Sequence, residues 1–283
     1  MPKPPIMLVE NLFDRGLYPT HLVTASAEAS GFPVYRISDA RRDETRWKAT
    51  TANQEATITL DCGRVRAASA IFMDRGHNLA GKRWLLEISA DNFATTVQTV
   101  LDVNPHPANA GGLLTDLLGA VVLDGSWGKI LDGTYLSRYW RIRIPAASGF
   151  IPEITGLYLG KHFQLQRSVP MPYSEYGSER FFTELVSVAG RVGRSRTYRR
   201  RGGQLVIRAA SDAEYYETLR LWLEDVYRDR SQPSWLVLDA DFPAETTVNV
   251  LCPEDNWTFE LDRSQWPYPV ATVPWMENTP EVR

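Results

Sequence analysis

Residues 71–93, IFMDRGHNLAGKRWLLEISADNF, decide how the first half of the chain reads. Ile71-Phe72-Met73 is a short apolar run, and Trp84-Leu85-Leu86-Glu87-Ile88 is rich in strand-favouring side chains. Between them Gly76-His77-Asn78-Leu79-Ala80-Gly81 supplies glycines and an asparagine, residues that tolerate the positive φ of a tight connection. The stretch predicts two strands joined by a polar turn. Ser89-Ala90-Asp91-Asn92 predicts a second turn that sends the chain back through residues 95–103. Strand, loop, strand, turn, strand describes an antiparallel sheet with its loops gathered at the ends. Such a scaffold suits binding or assembly better than catalysis.

Outward from that centre, 283 residues leave room for two domains, each able to bury a core. A hydrophobic fraction of 43% and a charged fraction of 23% are ordinary for a globular chain. Nine Trp and twelve Tyr suit β-rich cores and interfaces. The formal charge of −3 makes no electrostatic case for nucleic acid or an anionic membrane as the main partner. Cys62 and Cys252 lie far apart, and two buried thiols are expected rather than a disulfide. The opening MPKPPIMLVEN lacks the apolar core of a signal peptide, and no run reaches the ~20 apolar residues of a membrane span, so synthesis in the cytoplasm is expected.

In chain order, residues 22–24, 57–60, 139–144 and 154–159 read as strands by alternation or β-branching. Asp61-Cys62-Gly63 reads as a turn closing the second of these. Residues 104–128, with Pro105, Pro107 and Gly111-Gly112, read as an insertion or long loop, and 164–173 as a linker. The second half predicts strands at 181–188, 204–208, 234–238, 247–251, 257–261 and 270–273, with a basic segment at 190–203. Its one helix spans 211–229. Ser211 and Glu214 have capping-box spacing, and Tyr215, Leu219, Trp222, Leu223 and Val226 share one apolar face.

Ile37-Ser38-Asp39 through Thr45-Arg46-Trp47 and EATITLDCG at 55–63 are two of several motifs within residues 8–163 that resemble the discoidin, or coagulation-factor type C, family: the first its early Asp/Thr/Trp loop, the second its apolar-Asp-Leu-Gly strand. Ile88-Ser89-Ala90-Asp91-Asn92-Phe93 resembles its Ser-x-Asp-Gly hairpin, with Asn where Gly is usual. Arg138-Tyr139-Trp140-Arg141-Ile142 and Pro152-Glu153-Ile154 resemble its last two core strands. The resemblance implies a mainly β fold with an N-terminal galactose-binding-like jelly-roll sandwich over 1–165. The family's terminal cysteine pair is absent. The Gly-His-Asn-Leu turn is similar to phage minor tail proteins. The second half, 166–283, is similar to tail-tube and distal-tail domains, implying a β-sandwich or split barrel with one packed helix.

Three groups of residues are candidates for function. Asp39, Arg41, Arg42 and Trp47 combine planar polar groups with an aromatic, as carbohydrate sites do, although Trp47 at this family position is more often core. Arg75, His77 and Asn78 sit in the polar loop; turn chemistry alone also explains this pair of His and Asn. Arg191, Arg194, Arg196, Arg199, Arg200 and Arg201 form the one strongly basic run. Docking onto an acidic partner is the first reading of that run, a solvated hairpin the second, and nucleic acid the third.

Catalysis has little support. His21, His77, His106 and His162 are scattered, without HExxH, HxH or a cysteine cluster, and neither a phosphate loop nor a G-x-S-x-G elbow is present. No cofactor or metal is expected. The resemblance implies a structural component of a siphophage tail tip, in the virion. There it would form homo-oligomeric rings with tube, hub or fibre proteins and present a module to host glycans. The alternatives are a carbohydrate-binding module and, behind it, a glycan-degrading enzyme.

Overall fold

The computed structural model describes residues 6–38, 46–74, 76–79, 81–103, 121–123, 126–166, 177–186, 192–220, 222, 234–237, 247–251 and 270–277. Within them the protein is mainly β, built of antiparallel sheets, with a 3-10 helix at Val34–Ser38 and one short helical segment from Asp212 to Leu219. The chain divides into two compact units, one of Leu8–Phe163 and one of Met1–Met7 together with Gln164–Arg283. The sequence reading keeps residues 1–7 with the first domain. The structure groups them with the second unit, because their strand joins that unit's sheet.

The strands in chain order begin with β1 (Ile6–Leu8), β2 (Leu22–Ala25), β3 (Trp47–Lys48), β4 (Ala56–Met73), β5 (Trp84–Ser89) and β6 (Gln98–Val103). Then come β7 (Val121–Leu123), β8 (Ser126–Ile144), β9 (Glu153–Ile154), β10 (Leu157–Gly160) and β11 (His162–Gln164). The remainder are β12 (Gly177–Val186), β13 (Val192–Arg208), β14 (Ser234–Val237), β15 (Thr247–Leu251) and β16 (Val270–Glu277).

The unit Leu8–Phe163 is organised by β4 and β8, of 18 and 19 residues, which run antiparallel. The sheet order is β10-β4-β8-β5-β6, with β2 also on β4 and β7 also on β8. Each long strand changes partner along its length. Ile58 to Asp61 pairs with β2, whereas Ala70 to Met73 pairs with β10. The change happens where the β4–β8 register breaks, between Asp61 and Arg66 and again between Ala68 and Ala70. At the first break Gly63 takes φ +67° and its N–H donates to Asp61 Oδ1 at 2.7 Å. The expected turn at 61–63 is therefore a bulged bend inside one strand, not the end of a strand.

Both halves of the long strands feed one core. Ile58, Leu60, Trp140, Ile142 and Ile144 from one half meet Ile71, Met73, Trp127 and Leu131 from the other. Trp47, Trp84 and Trp140 are fully buried, and burying an aromatic of this size contributes roughly 4–6 kcal/mol before entropy is counted. Trp84 and Trp127 meet edge to face at 4.7 Å.

The expected hairpin between residues 71–73 and 84–88 does not form, because β8 lies between β4 and β5. The alternating run at 139–144 satisfies both neighbours. Trp140, Ile142 and Ile144 are buried, while Arg141 and Arg143 pair with Glu87 of β5. The turn after β5 does make the expected β5–β6 hairpin. In it Asp91 accepts from the N–H groups of Thr95 and Thr96, and Asn92 adopts φ +56°, the conformation for which Gly is usual.

A separate seven-stranded sheet has the order β11-β1-β14-β15-β16-β13-β12. The helix begins as expected at Ser211, whose hydroxyl accepts from Glu214 N–H at 3.1 Å. The Glu214 carboxylate turns back to the N–H groups of Gln166 and Ala210 instead of to Ser211 itself. From Tyr215 to Leu219 the turn widens to a π-helix. Tyr215, Leu219 and Trp222 are buried, and Trp222 Nε1 donates to Ser234 Oγ at 3.2 Å. Leu223, Val226, the expected strand at 257–261 and most of the 104–128 insertion lie outside the described residues.

Candidate functional site

One end of the unit Leu8–Phe163 gathers four loops. The two-stranded pairing of β3 with β9 sets Lys48 opposite Glu153 and Trp47 opposite Ile154. Ala49 N–H donates to Pro152 O at 3.0 Å, and Lys48 N–H reaches Phe32 O at 3.5 Å. The 76–79 loop joins through Asn78. Its Nδ2 donates to Ile151 O at 2.8 Å, its Oδ1 accepts from Glu153 N–H at 2.8 Å, and its own N–H donates to Glu153 O at 3.2 Å. Asn78 thus works as a clasp between loops 76–79 and 151–153, with its amide engaged by main chain.

Glu153 is the electrostatic centre of this end. Lys48 Nζ lies 2.6 Å and Arg46 Nη1 3.1 Å from its carboxylate. Both cations flank the Phe32 ring, at 6.0 Å and 5.8 Å from its centroid. Lys82 Nζ stands 4.9 Å from the ring of Phe150. Both rings are half-buried. The cost of uncovering them is small, because a cation–π contact at an exposed site is worth ~0.5–1 kcal/mol and a surface ion pair no more. Two aromatic faces and three movable cations therefore line the loop end.

Trp47 is fully buried, and its Nε1 donates to Ala27 O at 3.1 Å. It belongs to the core, so it offers no platform to a ligand. Asp39, Arg41, Arg42 and Arg75 lie outside the described residues. His77 accepts from Leu79 N–H through Nδ1 at 3.1 Å, and its shielded Nε2 has no partner among the described residues. Burial lowers its pKa to about 4.

The contributors that sequence reasoning passed over are Phe32, Arg46, Lys48, Lys82, Phe150 and Glu153. A signal was available: Phe32 and Phe150 each sit in a Gly- and Pro-bearing turn, where an apolar side chain has no helix or strand face to join.

The remaining titratable groups serve the fold. His21 Nδ1 donates to Leu12 O at 2.8 Å and its ring stacks on Tyr18 at 4.4 Å. The guanidinium of Arg66 lies 4.5 Å from the Tyr18 ring. His162 Nδ1 lies 2.8 Å from Ser69 Oγ. Cys62 is a buried free thiol whose pKa burial pushes up to about 12. Cys252 and His106 lie outside the described residues. Among the described residues no three His, Cys, Asp or Glu side chains are placed to hold a metal ion, and no helix is long and apolar enough to cross a membrane. Arg194, Arg196, Arg199, Arg200 and Arg201 fall within β13, which pairs antiparallel with β12; Arg191 lies outside the described residues.

A mainly antiparallel β unit with a built loop end is the class of protein these observations define. No family model matches the chain, and no curated protein matches it. Among solved structures, the chain is similar to the module CpGH89CBM32-5 from Clostridium perfringens in complex with GalNAc-beta-1,3-galactose. The identity is 11%, covering 50% of this chain and 96% of that one, with a TM-score of 0.38. The family 32 carbohydrate-binding module of C. perfringens NanJ, in complex with galactose, matches at 11% identity over 56% of this chain and 99% of that one, TM-score 0.39. A Ruminococcus gnavus GH29 fucosidase in complex with fucose matches at 14% identity over 54% of this chain, TM-score 0.41; the chain spans 27% of that enzyme's length.

Proposed function

We propose that the protein is a non-catalytic glycan-binding protein, with the loop end of Leu8–Phe163 as its contact surface. The observation that carries this is the pair of half-buried rings, Phe32 and Phe150, each flanked by a cation and set on loops that Asn78 and Glu153 hold together. A sugar ring has an apolar face and a hydroxyl edge. An aromatic beside planar or charged donors meets both at once. The experiment is a glycan array on the purified protein, followed by calorimetry on any hit with Phe32→Ala and Phe150→Ala. An affinity loss of about tenfold or more in either variant, worth ~1.4 kcal/mol, supports the reading. An empty array, or affinity unmoved in both variants, overturns it.

A second reading is that of an assembly component of a phage tail tip, placed in the virion with tube, hub or fibre proteins as partners. The observation favouring it is the strand pair β12–β13, which among the described residues runs on beyond its pairing with β16 in a sequence rich in arginine. An isolated hairpin is marginal in water, and a strand pair of this kind gains order from a partner. Co-purification with other tail proteins, or self-assembly, tests it. Catalysis belongs to neither reading.

A further inference from the structure

Among the described residues, the loop end of Leu8–Phe163 holds more positive charge than its own carboxylates engage. Glu153 divides its two oxygens between Lys48, 2.6 Å from Oε1, and Arg46, 3.1 Å from Oε2. Glu28, on the loop before Phe32, accepts from Val34 N–H at 3.1 Å. Lys82 makes no ion pair among the described residues, and its ammonium stands 4.9 Å from the centre of the Phe150 ring.

Arg46 is engaged through a single nitrogen. Its Nη1 donates to Glu153, while Nε and Nη2 have no hydrogen-bond partner among the described residues. Those two nitrogens form the side edge of the guanidinium, the fork that takes a carboxylate by two parallel bonds. The same unit shows what that edge does when an acid is at hand. Arg83 closes Nε and Nη2 on Asp102 at 2.9 and 2.6 Å, and Arg138 closes the same two atoms on Asp61 at 2.8 and 2.9 Å. The Arg46 side chain is 46% exposed against 17% for Glu153, so solvent reaches the arginine more freely than its partner. A carboxylate arriving from solvent can take the fork without displacing Glu153.

We propose that the loop end selects acidic glycans, sugars that carry a carboxylate, over their neutral counterparts. This rests on the glycan reading above and narrows its ligand class. Phe32 and Phe150 take the apolar faces of sugar rings, the Arg46 fork takes the carboxylate, and Lys82 adds a second positive charge beside Phe150. A neutral hydroxyl meets the same fork as an uncharged acceptor, in a weaker bond. Glu153 steadies Arg46 and Lys48 but repels an incoming acid. Its main-chain N–H and C=O, not its carboxylate, meet Asn78, so its side chain can be changed without loosening the loops. A uronic acid within a chain and a terminal sialic acid both present the required group, and the test separates them.

The test is calorimetry at low salt on two matched pairs: oligogalacturonate against its methyl ester, and sialyllactose against lactose. The acid of at least one pair is expected to bind about fivefold or more tightly than its neutral partner, and the pair that does so names the source. The preference is expected to shrink at ~1 M NaCl, where charges are screened beyond ~3 Å. The double variant Arg46→Gln, Lys82→Gln is expected to bring acid and neutral forms within about twofold of each other, with an unchanged thermal transition. Glu153→Gln, which removes the repelling carboxylate, is expected to raise affinity for the acid about twofold to fivefold. Arg138→Gln, which removes the same charge from the middle of β8, is expected to keep the preference. Equal binding of acid and neutral forms in both pairs, or a preference that the double variant retains, overturns this inference and leaves the glycan reading standing. Equally tight binding of polyglutamate, which has the carboxylates without the rings, overturns both. No binding to any of the four sugars overturns this inference alone if the glycan array gives a neutral hit, and both readings if the array is empty.

Discussion

Glu87 lies directly opposite Arg141 across β5 and β8, and the guanidinium closes on its carboxylate at 2.6 and 2.9 Å. Arg143 takes the other oxygen at 2.8 Å and also reaches Glu55 at 3.3 Å, so one carboxylate, 2% exposed, pairs with two cations on the sheet face. Removing one partner of a buried ion pair costs about 3–5 kcal/mol. Here the low end applies, since Arg141 and Arg143 are 19% and 30% exposed and stay within reach of water. Glu87→Ala is expected to lower the unfolding free energy by about 3 kcal/mol in urea titrations. A change below experimental error would mean that the two arginines re-pair freely.

Asn78→Ala removes two side-chain hydrogen bonds that tie loop 76–79 to residues 151 and 153. The expected loss is ~1–2 kcal/mol, because each bond contributes a modest net amount and Asn78 is itself exposed. Faster amide exchange at Glu153, whose N–H loses its acceptor, is the local readout. Asn78→Asp keeps the acceptor and is expected to protect that amide.

Two glycines make an opposed pair. A Cβ on Gly160 would come within 2.1 Å of Glu10 O, a backbone atom with little freedom to move. Gly160→Ala is therefore expected to cost about 1–3 kcal/mol or more. A Cβ on Gly133 would meet nothing within 4 Å, so Gly133→Ala is expected to be neutral or to stabilise by ~0.4–1 kcal/mol through the unfolded chain. Thermal melts of the two variants decide it.

Acid should weaken the fold in a defined window. Unfolded, His77 takes its proton near 6.5; folded, burial delays this to about 4. The unfolded chain therefore binds more protons between those values, and stability falls as pH drops through them, being complete above 6.5. His21 and His162 are lowered by burial too and push the same way. His77→Gln is expected to flatten the melting temperature between pH 6.5 and 4; an unchanged slope would remove His77 from the account.

What the sequence made legible follows from the range of the interactions. Ser211 and Glu214 announced a helix start because capping acts over three residues, and Asp91 announced its hairpin over five. Residues 139–144 declared themselves by period-2 alternation. By contrast, nothing local in 71–93 says that β8, some fifty residues further on, will insert between β4 and β5. Gly63 looked like a strand end because positive φ serves turns and bulges alike. The basic segment of β13 carries no apolar period, so its extent as a strand could not be bounded from its arginines and glycines. At the loop end, His77 and Asn78 drew attention by chemical type, yet Asn78 is occupied by main chain. Phe32 and Phe150 became candidates only when three-dimensional structure put Lys48, Arg46 and Lys82 beside them.

β1 pairs Ile6 with Val237 and Met7 with Leu236, and stands between β11 and β14. β1 thus enters its sheet only after β14, about 230 residues further along the chain, has been made. Contacts so far apart in sequence are slow to form. The sheet remains unfinished during synthesis, with the edge of β14 open to any other strand that arrives earlier. Synthesis order and sheet order are at odds in this molecule, and its yield should depend on how well β1 is kept from other partners until β14 is made.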